Sequence, residues 1–248
     1  MLFFKLKDKE KELESHLLDI RKHLIFAIIV FFITFIIVFY FSKDIYNLLT
    51  KPLLKVLQDY NYSSPFIVTS LPEGFFSYIK ITFFTTALIF MPVFLWQVLF
   101  YILPIVGKKI RKELIIMGGI IAPLLFGLGA LFAYFFTFHA VWNFLVAFNL
   151  SRNLELYLKV SEYLSLALSI MFWFGISFEL PVVLYIFFKL NIVDYNSLKK
   201  FRKIFILLSF IIAALITPPD PFSQIIMALL LIFLYETSLF IIKKSANK

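Results

Sequence analysis

The stretch SIMFWFGISFELPVVLYIFF, residues 169–188, is apolar enough and long enough to cross a membrane as one helix. It nevertheless contains Glu179 near its middle and Pro181 two residues further on. A carboxyl group inside a bilayer is energetically unfavourable, and a proline removes one backbone hydrogen bond from a helix. The stretch therefore predicts a bent membrane-spanning helix and raises the question of what its carboxyl group does.

The composition of the whole chain agrees with this prediction. Of the 248 residues, 62% are hydrophobic, and the mean hydropathy is +0.94, whereas soluble domains contain about 45–50% apolar residues. The apolar runs are continuous and lack the alternation of outer-membrane β-barrels. We therefore predict an all-α polytopic membrane protein that forms a single integral membrane domain over residues 1–248.

Six apolar runs are candidate transmembrane helices. The first four can each cross about 30 Å of hydrocarbon at about 1.5 Å per residue. The apolar parts of the last two, residues 204–216 and 222–235, reach only about 20 Å. We expect two short helices that both cross, in preference to a re-entrant hairpin, because basic residues flank the pair. The predicted spans are residues 24–41, 81–103, 114–138, 164–190, 204–216 and 222–242.

The positive charges predict the orientation of these spans. The net charge is +9, and 18 of the 24 Lys and Arg residues lie in the N-terminal segment, in the loops after the second and fourth spans, and at the C-terminus. Because cytoplasmic loops are enriched in Lys and Arg, we predict that both termini are cytoplasmic. This distribution explains the basic composition without nucleic acid as a partner.

The first outer loop contains LLTKPLLKVLQDY, which places Leu49, Leu53, Leu54 and Leu57 at helical spacing. The pattern predicts a short helix at the membrane surface, with Pro52 near its first turns. The second outer loop is predicted to be helical in part.

The third span contains small residues four positions apart, Gly118 with Ala122 and Gly129 with Ala133. Such faces allow helices to pack closely in lipid. We interpret them as packing surfaces in preference to a substrate groove.

Glu179 has two interpretations. In the first, a neighbouring helix of the protein satisfies its carboxyl group. In the second, which we favour because ionisable groups in membranes are functional by default, it is a docking site for another membrane helix, or an ion or proton site. Pro181 leaves the carbonyl of Ser177 without its usual donor, and Gly175, one turn before Glu179, would let a partner approach.

The segment TPPDPFSQ separates the last two apolar runs. Asp220 suits the N-cap of the last helix, with Pro221 at the first helical position. A cap alone and a cap with a further function are equally supported. Gln224, one turn into that helix, needs a hydrogen-bond partner because it lies in an apolar span.

The segment ESHLLDIRKHLIF, before the first span, has one apolar helix face and places Asp19 on the polar side. The residues alone favour a solvated face on which Asp19 pairs with Lys22. The alternative is a carboxylate offered to a cationic ligand at the membrane surface.

Motifs for catalysis are absent from the sequence, which contains no HExxH, no GxSxG and no phosphate-binding glycine loop. His16, His23 and His139 lack the spacing of metal ligands. We predict that the protein is not an enzyme and holds no cofactor or metal.

Six motifs occur along the chain in a distinctive order. They are HLLDIRKHL before the first span, KPLL in the first outer loop, SLPEGFFSYIKI entering the second span, WQVLFYILP leaving it, SFELP in the fourth span, and TPPDPFSQ after the fifth. In this order they resemble the TatC family, the multi-spanning receptor of the twin-arginine protein translocase. The resemblance covers about residues 15–242, and SFELP with TPPDPFSQ is its most specific part.

The resemblance implies a function in protein export. It implies recognition of the paired arginines in signal peptides of folded proteins, assembly with single-spanning TatA- and TatB-type subunits, and export driven by the proton-motive force. It also implies a location in the inner (plasma) membrane in preference to an organellar membrane, contact with membrane lipid, and homo-oligomers within the complex.

The resemblance further assigns roles to residues. Asp19 stands where the family usually has glutamate, and it can still accept a bidentate arginine. Ile110 stands where the family has a second glutamate, and Glu113 is the candidate substitute. The implied signal-peptide-binding residues are Asp19, Arg21, Tyr101 and Glu113; the partner-helix docking residues are Glu179, Pro181 and Gln224; and the structural or assembly residues are Pro52, Glu73, Phe76 and Asp220.

Two alternatives belong to other functional classes. One is an ion-coupled secondary transporter that uses Glu179 as an intramembrane proton site. Its two halves should show repeat symmetry, and the sequence shows none. The other is an assembly scaffold that does not bind cargo.

Overall fold

The computed structural model describes residues 21–22, 24–62, 66–102, 108–152, 154–217 and 221–246. Within these ranges the chain is almost entirely helical, which confirms the all-α class. The α-helices are α1 (Leu24–Tyr40), α2 (Ser42–Asp59), α3 (Glu73–Ile102), α4 (Lys108–Ile116), α5 (Ala122–Phe132), α6 (Phe138–Leu150), α7 (Val160–Phe178), α8 (Leu180–Lys189), α9 (Tyr195–Ile216) and α10 (Pro221–Ala246). Two π-helical segments, π1 (Met117–Ile121) and π2 (Ala133–Thr137), join α4, α5 and α6 into one long helix.

Four helical segments in the described residues are long and apolar enough to cross a membrane. α1 and α2 together make a fifth candidate, although they are bent by 70° relative to each other. α9 is not in this set, because its first turns are strongly basic. Six crossings and cytoplasmic termini therefore stay predictions. The four segments are Glu73–Gln97, Ile110–Leu150, Val160–Lys189 and Pro221–Ala246.

Several predicted helix boundaries are wrong. α3 begins at Glu73, well before the predicted start at residue 81. The third span continues beyond residue 138 to Leu150, because the following residues are also apolar and aromatic. α9 and α10 contain 22 and 26 residues, or about 33 and 39 Å of helix at 1.5 Å per residue. These two helices are not short, because the charged residues that end their apolar runs belong to them.

The long helices alternate between two ends of the bundle. The strand end contains the corner between α1 and α2 and a pair of two-residue strands, β1 (Phe66–Ile67) and β2 (Leu158–Lys159). The basic end contains the first turns of α4 and α9 and the last turn of α10, where many of the Lys and Arg residues lie. The basic end is the one that the charge pattern predicts to be cytoplasmic.

The strand end is closed by α2, which packs on α6. Leu49, Leu53 and Leu57, three residues of the apolar stripe that the sequence predicts, are buried. Leu54, the fourth residue of that stripe, is 40% exposed, whereas Val56 is buried at 1% exposure. At about 100° per residue, position 54 has rotated away from the face that position 53 shares with 56 and 57.

The strand pair is parallel, with Phe66 opposite Leu158. The sequence did not predict it, because two residues carry no recognisable alternation. The rings of Phe66 and Trp142 lie 5.4 and 5.1 Å from the ring of Tyr163, so an aromatic cluster fixes the strands against α6 and α7.

The centre of the bundle depends on a close crossing of α5 and α7. A Cβ atom at Gly129 would lie 2.6 Å from the carbonyl oxygen of Phe174 and 2.9 Å from the Cα atom of Gly175. Any larger residue at position 129 would force the two backbones apart. The contact confirms that Gly129 serves helix packing.

Candidate functional site

The candidate docking site for a partner helix is the break between α7 and α8. Glu179 is the single residue between these helices, with φ −74° and ψ −16°. Pro181, the second residue of α8, has no N–H to donate to the preceding turn. The helix is therefore interrupted at Glu179, where the sequence predicts a bend, while Val160–Lys189 still forms one candidate span.

The side chain of Glu179 is buried and incompletely bonded. Only 6% of the residue is exposed, and among the described residues no hydrogen-bond partner reaches its Oε1 atom. A buried acceptor without a donor costs free energy. A donor brought to this position by another helix would remove that cost.

Two other helices, α10 and α5, contact residues of α7 within about one turn of Glu179. The hydroxyl of Ser177 donates to the carbonyl of Trp173 at 2.8 Å and lies 3.8 Å from the sulfur of Met227 on α10. Gly175 does admit a close neighbour, and that neighbour is the ring of Phe126 on α5, which would lie 2.7 Å from a Cβ atom there. The small residue thus brings a helix of the same chain close.

Gln224 finds its hydrogen-bond partner within the chain. Its Nε2 atom donates to the carbonyl of Phe210 at 3.3 Å, which ties α10 to α9. Met227, three residues later, contacts Ser177. On α10, Gln224 therefore lies about one turn before Met227, the residue that contacts the segment next to Glu179. Asp220 lies outside the described residues.

Glu73 joins three segments at the strand end. Its carboxylate accepts hydrogen bonds from the N–H and hydroxyl of Thr69 at 2.5 and 2.8 Å and from the N–H of Ser70 at 3.3 Å. The hydroxyl of Ser161 on α7 donates to the same carboxylate at 2.6 Å. Glu73 thus caps the start of α3 and holds it against α7.

Phe76, the other residue implied for the outer loop, is 61% exposed. Its ring packs edge-on against Phe75, itself exposed, with centroids 5.9 Å apart. The pair forms an aromatic surface beside Glu73 rather than part of the core.

Pro52 lies in the middle of α2, so its predicted position near the first turns is wrong. Since Pro52 has no N–H, the carbonyl of Leu48 loses its helical donor. The hydroxyl of Tyr134 in π2 donates to this carbonyl at 2.9 Å, and the hydroxyl of Tyr163 donates to the carbonyl of Leu49 at 2.5 Å. Tyr134 thereby replaces the backbone bond that Pro52 interrupts, and Tyr163 adds a bond to the next carbonyl.

At the basic end, Glu113 is already bonded. Its Oε2 atom lies 2.7 Å from Nζ of Lys189 and accepts a hydrogen bond from the hydroxyl of Tyr185 at 3.2 Å. Ile110, the position of the missing family glutamate, lies in the first turn of the same helix. A cationic ligand would have to share this carboxylate with Lys189 or displace it.

The other residues implied in signal-peptide binding are less completely described. Asp19 lies outside the described residues, and so does the side chain of Tyr101, whose backbone belongs to the last turn of α3. Arg21 is exposed just before α1.

Sequence reasoning missed the residues that complete these sites. Tyr134, Ser161 and Lys189 supply the bonds at Pro52, Glu73 and Glu113. Lys189 lies four residues after Tyr185 at the end of the fourth span, a spacing that could have suggested a shared partner. Within the described residues no group of three or more His, Asp and Glu could hold a metal ion.

Known proteins resemble this chain over most of its length. The profile described as "Sec-independent protein translocase protein (TatC)" matches residues 15–229. The chain belongs to the TatC family. It is therefore a subunit of a Sec-independent protein translocase, and its relatives are named as translocase components.

TatC-family relatives match along nearly their full length. The protein from Rickettsia prowazekii is 36% identical over 231 residues, which are 92% of this chain and 91% of that protein. The protein from Aquifex aeolicus is 38% identical over 240 residues, 95% of this chain and 96% of that protein. A crystal structure titled twin arginine translocase receptor TatC superposes with a TM-score of 0.79 at 36% identity, covering 94% of this chain and 100% of that chain.

Proposed function

We propose that this TatC-family chain recognises twin-arginine signal peptides of folded proteins and scaffolds assembly of the export complex in the inner (plasma) membrane. Its partners are single-spanning TatA- and TatB-type subunits, together with further copies of itself, and the proton-motive force drives export. Family membership supports the translocase setting. Two acids support the finer roles: Glu179 at the helix break within the fourth span, and Glu113, which pairs with Lys189 at the end of that span.

The observation that carries the proposal is the state of Glu179. The residue is 6% exposed, and its Oε1 atom has no partner among the described residues. Pro181 has no N–H to donate, so the helix is interrupted next to Glu179. A partner helix with its own polar group gains a hydrogen bond where few alternatives exist.

We assign cargo recognition to Asp19, which precedes α1 in the sequence, and to Glu113 at the basic end. A carboxylate can hold a guanidinium group through two parallel hydrogen bonds, which favours arginine over lysine as a ligand. The ammonium group of Lys189 occupies Glu113 at 2.7 Å, so an arriving arginine replaces one cation by a better fitting one. Asp19 supplies the second acid.

The docking role is tested by export of a twin-arginine reporter in cells that carry Glu179→Gln or Glu179→Ala. Gln keeps hydrogen bonding and loses the charge, whereas Ala loses both. We expect Gln to retain most export and Ala to retain little. Glu162→Gln is the matched control, because Glu162 is 73% exposed and pairs only at the surface with Lys159.

Other outcomes separate the remaining interpretations. Loss of export in both Glu179 variants would favour a proton carrier over hydrogen-bonded docking. Normal export in both variants would leave Glu179 a role in packing alone.

The cargo role is tested by titrating a labelled twin-arginine peptide against the solubilised protein. Asp19→Asn should weaken binding and make it less dependent on salt, because an ion pair is lost. Asp19→Glu should be tolerated. An unchanged affinity for Asp19→Asn would remove Asp19 from the site, and an unchanged affinity for Glu113→Gln would leave a site with one acid.

A further inference from the structure

A cavity with a polar lining lies at the basic end, where α4, π1, α8 and α10 meet. It has a volume of about 590 Å³ and opens to the surface. Its polar lining consists of Glu113, Tyr185, Lys189, Lys244 and Ser245. The proposed function uses Glu113 as a ligand for arginine and Lys189 as the cation that the arginine replaces. It assigns no ligand to Lys189 or to Lys244.

The charge in this cavity is positive. Lys189 offsets Glu113, with 2.7 Å between Nζ and Oε2, and it also lies 5.4 Å above the ring of Tyr185. Lys244 adds a second cation, and among the described residues no carboxylate lies within ion-pair distance of it. The hydroxyl of Ser245 is available on the same wall. A ligand that balances this arrangement carries negative charge.

The apolar side of the cavity is exposed on the surface of the helix bundle. Phe240 is 71% exposed and Ile241 is 38% exposed, and both line the cavity on α10, one of the four membrane-spanning segments. Exposed apolar side chains next to two lysines, at the end of a membrane helix, match the boundary between the acyl chains and the headgroup of a lipid.

We propose that this cavity binds the headgroup phosphate of an anionic phospholipid, with Lys244 and Lys189 balancing its charge and Phe240 contacting an acyl chain. Basic pockets between membrane helices on the cytoplasmic side are suited to such headgroups. A cationic signal peptide fits the cavity poorly, because two lysines repel it and the single carboxylate is already paired. The inference does not depend on what cargo the protein binds.

The test is a titration of the full-length detergent-solubilised chain with phosphatidylglycerol, followed by native mass spectrometry, with phosphatidylcholine as the neutral reference. Lys244→Gln should lower the affinity for phosphatidylglycerol about five-fold, since one basic residue near a membrane surface contributes about 1 kcal/mol. Lys243→Gln is the matched control. It removes the same charge from the neighbouring residue, which does not line the cavity, and should therefore lower the affinity much less than Lys244→Gln does.

Glu113→Gln gives a test of opposite sign. Removing the carboxylate frees Lys189 and should raise the affinity for phosphatidylglycerol. If Glu113 binds cargo, the same variant should lower the affinity for a twin-arginine peptide. The two proposals can therefore fail separately. Unfolding temperatures of all variants verify that each variant is folded.

Three results would overturn the inference. Equal losses for Lys243→Gln and Lys244→Gln would indicate diffuse surface attraction. Displacement of the lipid by glycerol phosphate at equal concentration would indicate a site for a free phosphate. A twin-arginine peptide that displaces the lipid and binds more tightly to Lys244→Gln would indicate that cargo occupies the cavity.

Discussion

Glu73 and Glu179 both lie at a helix boundary, one at the start of α3 and the other between α7 and α8. Glu73 accepts hydrogen bonds from Thr69, Ser70 and Ser161. Glu179 is buried, and its Oε1 atom has no partner among the described residues. The carboxylate of Glu73 therefore links segments of the fold at the strand end. The carboxyl group of Glu179 is buried at the helix break with one oxygen atom unbonded among the described residues.

This difference separates structural from functional acids by their bonding rather than by their position. A satisfied carboxylate contributes to stability, so its loss should lower stability whether or not export is measured. An unsatisfied buried carboxyl group lowers stability, so its presence in the protein requires a reason other than stability. Substitutions at the two sites should therefore have opposite effects on stability.

The largest effect is expected for Glu179→Met. Methionine has a similar length and no unsatisfied polar atom, so the free energy of unfolding should rise by about 1–3 kcal/mol. Export should fall, because the partner helix loses its hydrogen-bonding group. The measurement is thermal unfolding in detergent together with reporter export. A variant that is less stable than the original would show that the carboxyl group is satisfied after all.

The next largest effect concerns Pro52, the other interruption of a helix. Tyr134→Phe should leave the carbonyl of Leu48 without a donor and lower the free energy of unfolding by about 1–2 kcal/mol. Pro52→Ala restores a backbone N–H, so Tyr134→Phe should be less harmful in that background. Tyr157→Phe is the control, because Tyr157 is 70% exposed.

The coupling between Pro52 and Tyr134 is the decisive quantity in that experiment. A double-mutant cycle isolates it from other effects of each change. If Tyr134→Phe costs the same in the original protein and in the Pro52→Ala variant, the tyrosine does not compensate for the proline.

These two helix interruptions also show what could be predicted from the sequence. The break at Glu179 follows from two residues that are neighbours in the chain, so it was predicted. The compensation at Pro52 joins Tyr134 to Leu48 across 86 positions, and Tyr185 reaches Glu113 across 72. No local pattern records such pairs, because they depend on how the helices pack.

The helical class of the protein could likewise be predicted from local sequence, whereas the lengths of individual helices could not. Hydropathy predicted the all-α membrane class, because lipid requires continuous apolar runs. It misplaced the ends of α9 and α10, since backbone hydrogen bonding continues into charged turns that hydropathy treats as loops. The charged first turns of α9 belong to its 22 residues.

A smaller effect is expected for Glu73→Gln. The amide can accept some of the hydrogen bonds from Thr69 and Ser161, but it loses the negative charge at the start of α3. Because the site is open to water, we expect a fall in unfolding temperature smaller than that of Tyr134→Phe. Glu162→Gln provides the control, since Glu162 lies in the first turn of α7 and forms only an exposed pair. A rise in unfolding temperature would remove the contrast between Glu73 and Glu179.

The smallest effect concerns Asp194, a second satisfied carboxylate, which caps α9 in the basic half of the molecule. Its Oδ2 atom accepts a hydrogen bond from the N–H of Ser197 at 3.4 Å. Hydrogen bonding by Ser197 lowers the pKa of Asp194 in the folded protein. A lowered folded-state pKa means that this stabilisation is present above the unfolded-state pKa, about 3.9, and is lost as the pH falls through the folded-state value.

Asp194→Asn keeps a capping side chain and removes the titration. The variant should therefore be slightly less stable than the original protein at pH 7, and the difference should shrink as the pH is lowered below about 4. Thermal unfolding of both proteins across this range measures it. Asp59→Asn, at the last residue of α2, is the control, because Asp59 is exposed there and lies at the end of its helix instead of capping its start. A difference that stays constant with pH would show that the carboxylate of Asp194 is not held by its cap, and the distinction between satisfied and unsatisfied acids would then rest on Glu73 and Glu179 alone.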